Sequence, residues 1–189
     1  SDVCSSDLNI HPLLRMTIKG VISYQGEQNA GYPGDYHGFN RDFYSCNFYR
    51  MIEEYRKQWS RNSGTDPDFP FGFVQLAQYV PNSKNMAWPK LRWQQTMEYG
   101  YAPNDRLKNV FMASAIDSPA VLHPLKKRPT SERLAWASLN LAYGQEDKPL
   151  GAPTLSNVKI DQNGKALVTF SSDVFLEATS NKEIGRAHV

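Results

Sequence analysis

The sequence predicts an α/β fold built on a parallel sheet. Three short apolar runs, Gly20–Tyr24, Phe71–Tyr79 and Val110–Ile116, have the length and composition of buried strands. Longer amphipathic stretches separate these runs, as in βαβ units. The chain is 40% hydrophobic and 12% aromatic, which is typical of a globular protein with a packed core. We therefore expect a sheet covered by helices.

The first helix is predicted over Phe39–Trp59, where apolar side chains recur near helical spacing and charged side chains lie largely opposite. The residues predicted to face the core are Phe43, Cys46, Met51, Ile52, Tyr55 and Trp59.

Two further helices are predicted from their boundary residues. One covers Trp88–Tyr99, with Pro89 in its first turn and Gly100 at its C-cap. The other covers about Thr130–Tyr143, with Thr130 or Ser131 as N-cap and Gly144 as C-cap.

A β-hairpin is predicted after the last helix. Thr154–Ile160 and Lys165–Phe170 alternate apolar and polar residues, and Asn163-Gly164 between them is a strong turn sequence. The change from α/β to hairpin predicts the start of a β-rich domain. We expect the α/β part over residues 9–148 and this β domain over 149–182.

The two ends of the chain fit no structural element. Ser1–Leu8 matches the translation of a sequencing adapter, and Ile184–Val189 matches the translation of its opposite strand, with Glu183 at the junction. We therefore expect residues 1–8 and 183–189 to be adapter-derived and exclude them from fold reasoning. Cys46 is then the only cysteine, so no disulfide framework is predicted.

Charge and hydropathy exclude some classes of partner. The net charge of +2 is mild and scattered, without the basic run that nucleic-acid binding requires. No apolar run is long enough for a membrane span. No spacing of His, Cys, Asp or Glu predicts a metal site, and no cofactor is expected. The oligomeric state is not predictable.

The first chemically informative stretch is Lys19–Asn29. Its apolar half predicts a strand, and Gln25, Gly26, Glu27 and Asn29 then fall on the turn that ends this strand. Open α/β sheets place ligand sites at the carboxyl ends of their strands. The alternative is a strand-ending turn whose polar groups serve only as caps.

The second informative stretch follows the third predicted strand. Asp117 comes directly after it, and His123 lies further along the same loop, followed by Pro124 and Lys126. A carboxylate and an imidazole are the groups that activate the nucleophile in serine hydrolases.

These stretches resemble the sialate O-acetylesterases, which are SGNH hydrolases with a flavodoxin-like, three-layer α/β/α fold. Val21–Asn29, Val-Ile-Ser-Tyr-Gln-Gly-Glu-Gln-Asn, is similar to the family's Val-Ile-Trp-Tyr-Gln-Gly-Glu-Ser-Asn, with departures at Ser23 and Gln28. Further similar blocks are Phe71–Leu76, Leu91–Thr96 and His123–Lys126. The chain is thus expected to be part of an SGNH domain.

The resemblance implies a role for each polar residue. His123 is the expected general base. Asp117 is the expected orienting acid, although a backbone carbonyl or another acid is the alternative. Gln25 is the first choice as oxyanion donor, with Asn29 and the Gly26 amide as alternatives, whereas Glu27 is expected to fix the turn.

Arg92 is expected either to contact an acidic sugar or to form a salt bridge on its helix surface. The family's nucleophilic serine lies in an early Gly-Asp-Ser or Gly-Gln-Ser block, which this sequence lacks. We expect that serine upstream of residue 9 in the intact protein, and we expect the present chain to be inactive.

The resemblance predicts a secreted or periplasmic parent protein that removes O-acetyl groups from sialic acid or a related sugar. Two alternatives stay open at this point. One is an acetylesterase for plant polysaccharide, and the other is a glycan-binding protein that kept the fold and lost catalysis.

Overall fold

The computed structural model describes residues 9–31, 41–79, 86–118, 121 and 123–174. The two predicted adapter segments, residues 1–8 and 183–189, lie outside the described residues. The chain divides into two compact units, Ser1–Leu150 and Gly151–Val189.

The described residues form four α-helices and five strands, of which the last two strands belong to the second unit. In chain order they are β1 Val21–Ser23, α1 Glu27–Ala30, α2 Tyr44–Ser63, β2 Phe71–Gln75, α3 Ala87–Gln95, β3 Val110–Ser114, α4 Arg128–Tyr143, β4 Leu155–Ile160 and β5 Ala166–Phe170. Short 3₁₀ helices cover His11–Arg15 and Arg41–Phe43.

The strands of the first unit form a parallel sheet in the order β1-β2-β3. In this register Ile22 lies beside Gly72, and Gly72 lies beside Phe111. Because the strands are parallel, their carboxyl ends meet at one edge of the sheet. The predicted α/β class is confirmed.

Helices cover both faces of this sheet. On one face Phe48 of α2 and Leu91 of α3 belong to a buried cluster with Phe71 and Phe73 of β2. On the other face α4 packs against Val74 and the β3 residues. The result is the predicted order of helix, sheet and helix.

Gly72 allows the close packing of the α4 face. A Cβ atom at this position would lie 2.4 Å from ring carbons of Phe111, which is itself buried. The strand pair therefore has room for hydrogen and for no larger group at Gly72.

The prediction that the first strand is buried is wrong. Ile22 in the centre of β1 is 59% exposed. The reason is the strand order, because β1 lies at the edge of the sheet that the described residues form.

The predicted core face of the first helix is wrong in part. Phe43, which precedes α2, is 68% exposed, and Cys46 is also exposed. The buried side chains of α2 lie four or seven residues apart along one face of the helix: Tyr44, Phe48, Ile52 and Trp59. The helix also continues to Ser63, where Gly64 in the left-handed region ends it.

The other two helices also differ from their predicted bounds: α3 begins at Ala87 and has Thr96 instead of Gly100 as its C-cap, and α4 differs at its start. Helix α3 ends at Gln95, and Met97 and Glu98 then adopt positive φ angles of 54° and 69°. Helix α4 begins at Arg128, so the prediction of Thr130 or Ser131 as its N-cap is wrong, because both residues lie inside the helix. Its predicted C-cap at Gly144 is confirmed.

The second unit contains the predicted hairpin. Strands β4 and β5 pair antiparallel, and Gly164 has a φ of 76° in the turn between them. No helix in the described part of the chain combines the length and the apolar character that a membrane crossing requires.

Candidate active site

The turn after β1 requires a glycine at position 26. Gly26 is buried and has a φ of 133°, a conformation that side chains disfavour. An added Cβ atom would lie 3.0 Å from Leu91 Cδ2 and 3.3 Å from the Tyr44 hydroxyl. The one-turn helix α1 follows directly and carries Glu27 and Asn29.

The side-chain amide of Gln25 is held from both ends. Its Nε2 donates to Asn29 Oδ1 at 2.6 Å, and its Oε1 accepts a hydrogen bond from the Tyr44 hydroxyl at 2.9 Å. The amide nitrogen of Gln25 thus faces Asn29, and its oxygen faces Tyr44. An amide nitrogen has two N–H groups, so one remains for a ligand.

Gln95 joins the Gln25 turn to β2, and sequence reasoning missed this role. Its Oε1 accepts from Leu76 N at 3.1 Å, and its Nε2 donates to Val74 O at 3.1 Å and to Gln25 O at 3.3 Å. Gln95 is 1% exposed. It therefore ties the ends of two neighbouring strands together inside the protein.

Tyr44 of α2 is the second missed residue. Its ring is buried, and its hydroxyl lies against the Gln25 turn. Burial raises the pKa of Tyr44 well above its usual value, and the Glu27 carboxylate adds to this effect, whereas a hydrogen bond with Gln95 opposes it. Tyr44 is thus a neutral donor to Gln25 at physiological pH.

Glu27 affects this region through its charge. Partial burial and then the Glu27 carboxylate raise the pKa of Tyr24. Within the described residues the Glu27 carboxylate makes no hydrogen bond, so the predicted fixing of the turn through this side chain is not seen there. Its negative charge favours the protonated state of both nearby tyrosines.

At the end of β3, Arg133 of α4 holds Asp117. Arg133 Nη1 donates to Asp117 Oδ1 at 2.8 Å, and its Nη2 donates to Asp117 Oδ2. The same Nη1 donates to Ser114 O at 2.7 Å. The hydrogen bonds to Asp117 raise the pKa of Arg133, which therefore stays charged. Sequence reasoning did not identify Arg133.

A chain of polar contacts continues from β3 to α3. Ser114 Oγ donates to Gln75 Oε1 at 3.0 Å, and Gln75 Nε2 lies 3.4 Å from Arg92 O. The carboxyl ends of β2 and β3 are thus linked through side chains, as the ends of β1 and β2 are through Gln95.

His123 lies on the exposed loop after β3. No hydrogen bond between the His123 ring and Asp117 is present in the part of the chain that the structure describes. The loop does approach the first polar turn, because Lys127 Nζ lies 5.5 Å from the centre of the Tyr24 ring. The end of this loop, four residues after His123, therefore lies near the residue that follows β1.

Arg92 of α3 does not form the helix-surface salt bridge that was one of its two predicted roles. It forms no ion pair among the described residues, and its Nη1 is fully buried without a hydrogen-bond partner. Burial lowers the pKa of Arg92.

In this arrangement Gln25 and Asn29 are in direct contact, and the turn they form meets the loop of His123 through Tyr24 and Lys127. Amide donors at one strand end and an imidazole on a neighbouring loop are the groups that acyl transfer requires beside a nucleophile. Among the described residues no group of three His, Cys, Asp or Glu side chains is placed to hold a metal. The fold is therefore an open parallel α/β sheet with a cluster of polar side chains at the carboxyl ends of its strands.

Sequence comparison identifies the relatives more narrowly. The chain is 38% identical to the sialate O-acetylesterase of Mus musculus over 183 residues, and 36% identical to that of Homo sapiens over 183 residues. These alignments cover 92% of this chain and 32% and 34% of the two relatives. No protein-family model matches the chain.

A solved structure agrees with these relatives. A carbohydrate acetylesterase from Xanthomonas citri superposes with a TM-score of 0.63 at 32% identity, over 86% of this chain and 34% of that protein. The chain is therefore a homologue of the sialate O-acetylesterases over most of its own length, and the predicted family resemblance is confirmed. It spans about a third of the length of the relatives it matches.

Proposed function

We propose that the protein to which this chain belongs hydrolyses O-acetyl esters of carbohydrates, and that its sugar is O-acetylated sialic acid. The observation that carries the proposal is the match to acetylesterases over 92% of the chain, since this alignment extends across nearly all of the α/β unit. The reaction breaks the acyl C–O bond and yields acetate and the free sugar hydroxyl.

The proposed mechanism begins with a serine hydroxyl. His123 accepts the proton of this hydroxyl as the oxygen attacks the acetyl carbonyl, and it then gives the proton to the departing sugar oxygen. Asp117 is the proposed orienting acid, and Arg133 keeps its carboxylate in place. Water then hydrolyses the acetyl-enzyme with His123 again as the base.

Gln25 is the proposed donor to the oxyanion of the tetrahedral intermediate. A donor that is already oriented needs no reorganisation as charge develops on the carbonyl oxygen. The contacts of Gln25 with Tyr44 and Asn29 support this role, because they hold the amide in one orientation. The second Nε2 hydrogen is the one proposed to reach the substrate.

The nucleophile is proposed to come from a part of the parent protein that this chain does not span. The chain covers about a third of its relatives and lacks a Gly-Asp-Ser or Gly-Gln-Ser block. The chain alone should then release no acetate from an aryl acetate above the rate of its His123→Ala variant. Turnover that depends on His123 would place the nucleophile within these residues.

The decisive experiment uses the complete gene product and measures acetate release from O-acetylated sialic acid. His123→Ala should lower kcat/KM by about 10³-fold or more, since the general base acts together with the nucleophile. His11→Ala is a matched control, because His11 is also an exposed histidine followed by proline. Equal loss in both variants, or no loss in either, would contradict the assignment.

The same assay separates the substrate from the reaction type. Acetylated xylose and acetylated sialic acid are compared at equal concentration. A preference for the sialic acid supports the finer proposal, whereas a preference for xylose supports only carbohydrate ester hydrolysis. A complete protein without a serine block and without turnover would favour a glycan-binding protein.

A further inference from the structure

Arg92 differs from the other two partly buried arginines of the α/β unit. The Arg56 guanidinium donates to backbone carbonyl groups before β2 and β3, and that of Arg133 donates to Asp117 and a carbonyl group. Arg92 has no such partners among the described residues, and its buried Nη1 makes no hydrogen bond.

The position of Arg92 places it beside the candidate site. Its carbonyl oxygen lies against the Gln75 side chain at the carboxyl end of β2. Gln95 lies three residues further along α3, and residues at this spacing share one face of a helix. Since Gln95 touches the carbonyl of Gln25, that face of α3 is directed toward the proposed oxyanion turn.

The charge of Arg92 is not balanced by any described neighbour. For Arg56 the carboxylates of Asp68, Glu53 and Asp66 oppose the effect of burial on the pKa, whereas burial is the only cause found for the lowered pKa of Arg92. A partly buried cation without a counter-ion or a full set of acceptors is unfavourable. Arg92 as a whole is only partly buried, so an anionic ligand at the accessible part of its side chain would supply the counter-ion.

We propose that Arg92 recognises the carboxylate of an acidic sugar bound at this edge of the sheet. The inference deepens the proposed function and rests on it for the presence of a sugar at the site. A guanidinium fork matches a carboxylate in shape and charge. The chemistry is shared by sialic acids and uronic acids, and it excludes a neutral sugar as the preferred ligand.

The test measures binding rather than turnover, so it does not depend on the nucleophile. The 189-residue chain is titrated with N-acetylneuraminic acid and with its methyl ester, which has the same ring and no negative charge. The acid should bind about tenfold to a hundredfold more tightly, as expected for one charge-assisted contact. Glucuronic acid and its methyl ester form the second pair and distinguish the two sources of carboxylate.

Variants assign the difference to Arg92. In Arg92→Gln the acid and the ester should bind equally, and Arg92→Lys should recover part of the preference. Arg128→Gln is the control, because Arg128 is exposed and already paired with Glu132. Circular dichroism of each variant checks that the fold is kept.

Several results would overturn the inference. They are equal binding of acid and ester by the unchanged chain, the absence of binding by either, and a preference that persists in Arg92→Gln. The comparison of acid with ester needs no variant, so a variant that fails to fold leaves the inference testable. Failure of the proposed function would instead appear as missing acetate release by the complete protein.

Discussion

Replacing Gln95 by leucine should destabilise the α/β unit more than any other single amide substitution at this edge of the sheet. Leucine has a similar volume and fills the same space, so the cavity contribution is small. The change removes the acceptor for Leu76 N and the donor for Val74 O. Gln25 O also loses its contact with Gln95 but keeps the Tyr44 hydroxyl at 3.4 Å.

The expected loss of unfolding free energy follows from the burial of the two backbone groups that lose their partner. Leu76 and Val74 are 0% and 2% exposed, so water does not replace the lost partner. Each buried backbone group without a hydrogen bond costs about 1–3 kcal/mol, which gives about 2–6 kcal/mol for the pair. This is a large part of the ~5–15 kcal/mol that stabilises a typical domain.

Urea denaturation followed by tryptophan fluorescence measures the change in the free energy of unfolding. Gln78→Leu is the matched control, because Gln78 is exposed and the same substitution should change stability by less than about 0.5 kcal/mol. A loss below about 1 kcal/mol for Gln95→Leu would refute the reasoning. It would mean that Gln95 does not carry the connection between the strand ends.

Three further predictions concern Tyr44, Gly72 and the pair of Arg133 with Asp117. Tyr44→Phe should lower the free energy of unfolding by about 1 kcal/mol at pH 7. Because burial raises the folded-state pKa of Tyr44, the stability of the unchanged protein should fall above about pH 10 by up to ~1.4 kcal/mol per pH unit. Urea titrations at increasing pH should show a smaller fall in the variant. Gly72→Ala should cost about 1–3 kcal/mol in the same assay, since its Cβ would overlap the Phe111 ring, and unchanged stability would show that the ring moves aside freely. Arg133→Met and Asp117→Asn should couple by only about 1 kcal/mol in a double-mutant cycle, because the pair is 38% and 34% exposed, and additivity would show that the contact contributes nothing.

Local sequence patterns predicted the elements whose ends depend on nearby residues. Gly144 ends α4 in the left-handed conformation, and Gly164 lies in the β4–β5 turn with positive φ, as their sequence context indicated. The order of strands and helices followed from hydrophobic runs of suitable length. These features are properties of short segments, so they are available without knowledge of the fold.

Features that depend on distant residues were predicted less well. The exposure of Ile22 depends on which strands flank β1, which no local pattern contains. The predicted core face of α2 was placed incorrectly because Phe43 and Cys46 are apolar and were assigned to it. In the structure both residues lie outside the buried stripe of this helix. An apolar side chain at approximately helical spacing does not by itself show which face of the helix is buried.

The candidate site shows the same division. The contact of Gln25 with Asn29 lies within one turn and was within reach of the sequence, whereas Tyr44 and Arg133 reach the site from other helices. One available indication was missed for Gln95, which follows the apolar Leu91 by four residues and therefore shares its buried face. The catalytic roles, the domain limits and the secreted or periplasmic location stay predictions.

The chemistry required at position 95 explains why an uncharged amide lies at the centre of this edge. The side chain must accept from one strand end and donate to carbonyl groups of two strand ends within a buried space. A glutamate only accepts when ionised, and a lysine only donates, so either would leave a backbone group without a partner. Glutamine satisfies both requirements without a buried charge, and it allows the turn that carries Gln25 to be fixed directly to β2. The orientation of the proposed oxyanion donor is therefore determined by helix α3 as well as by its own strand.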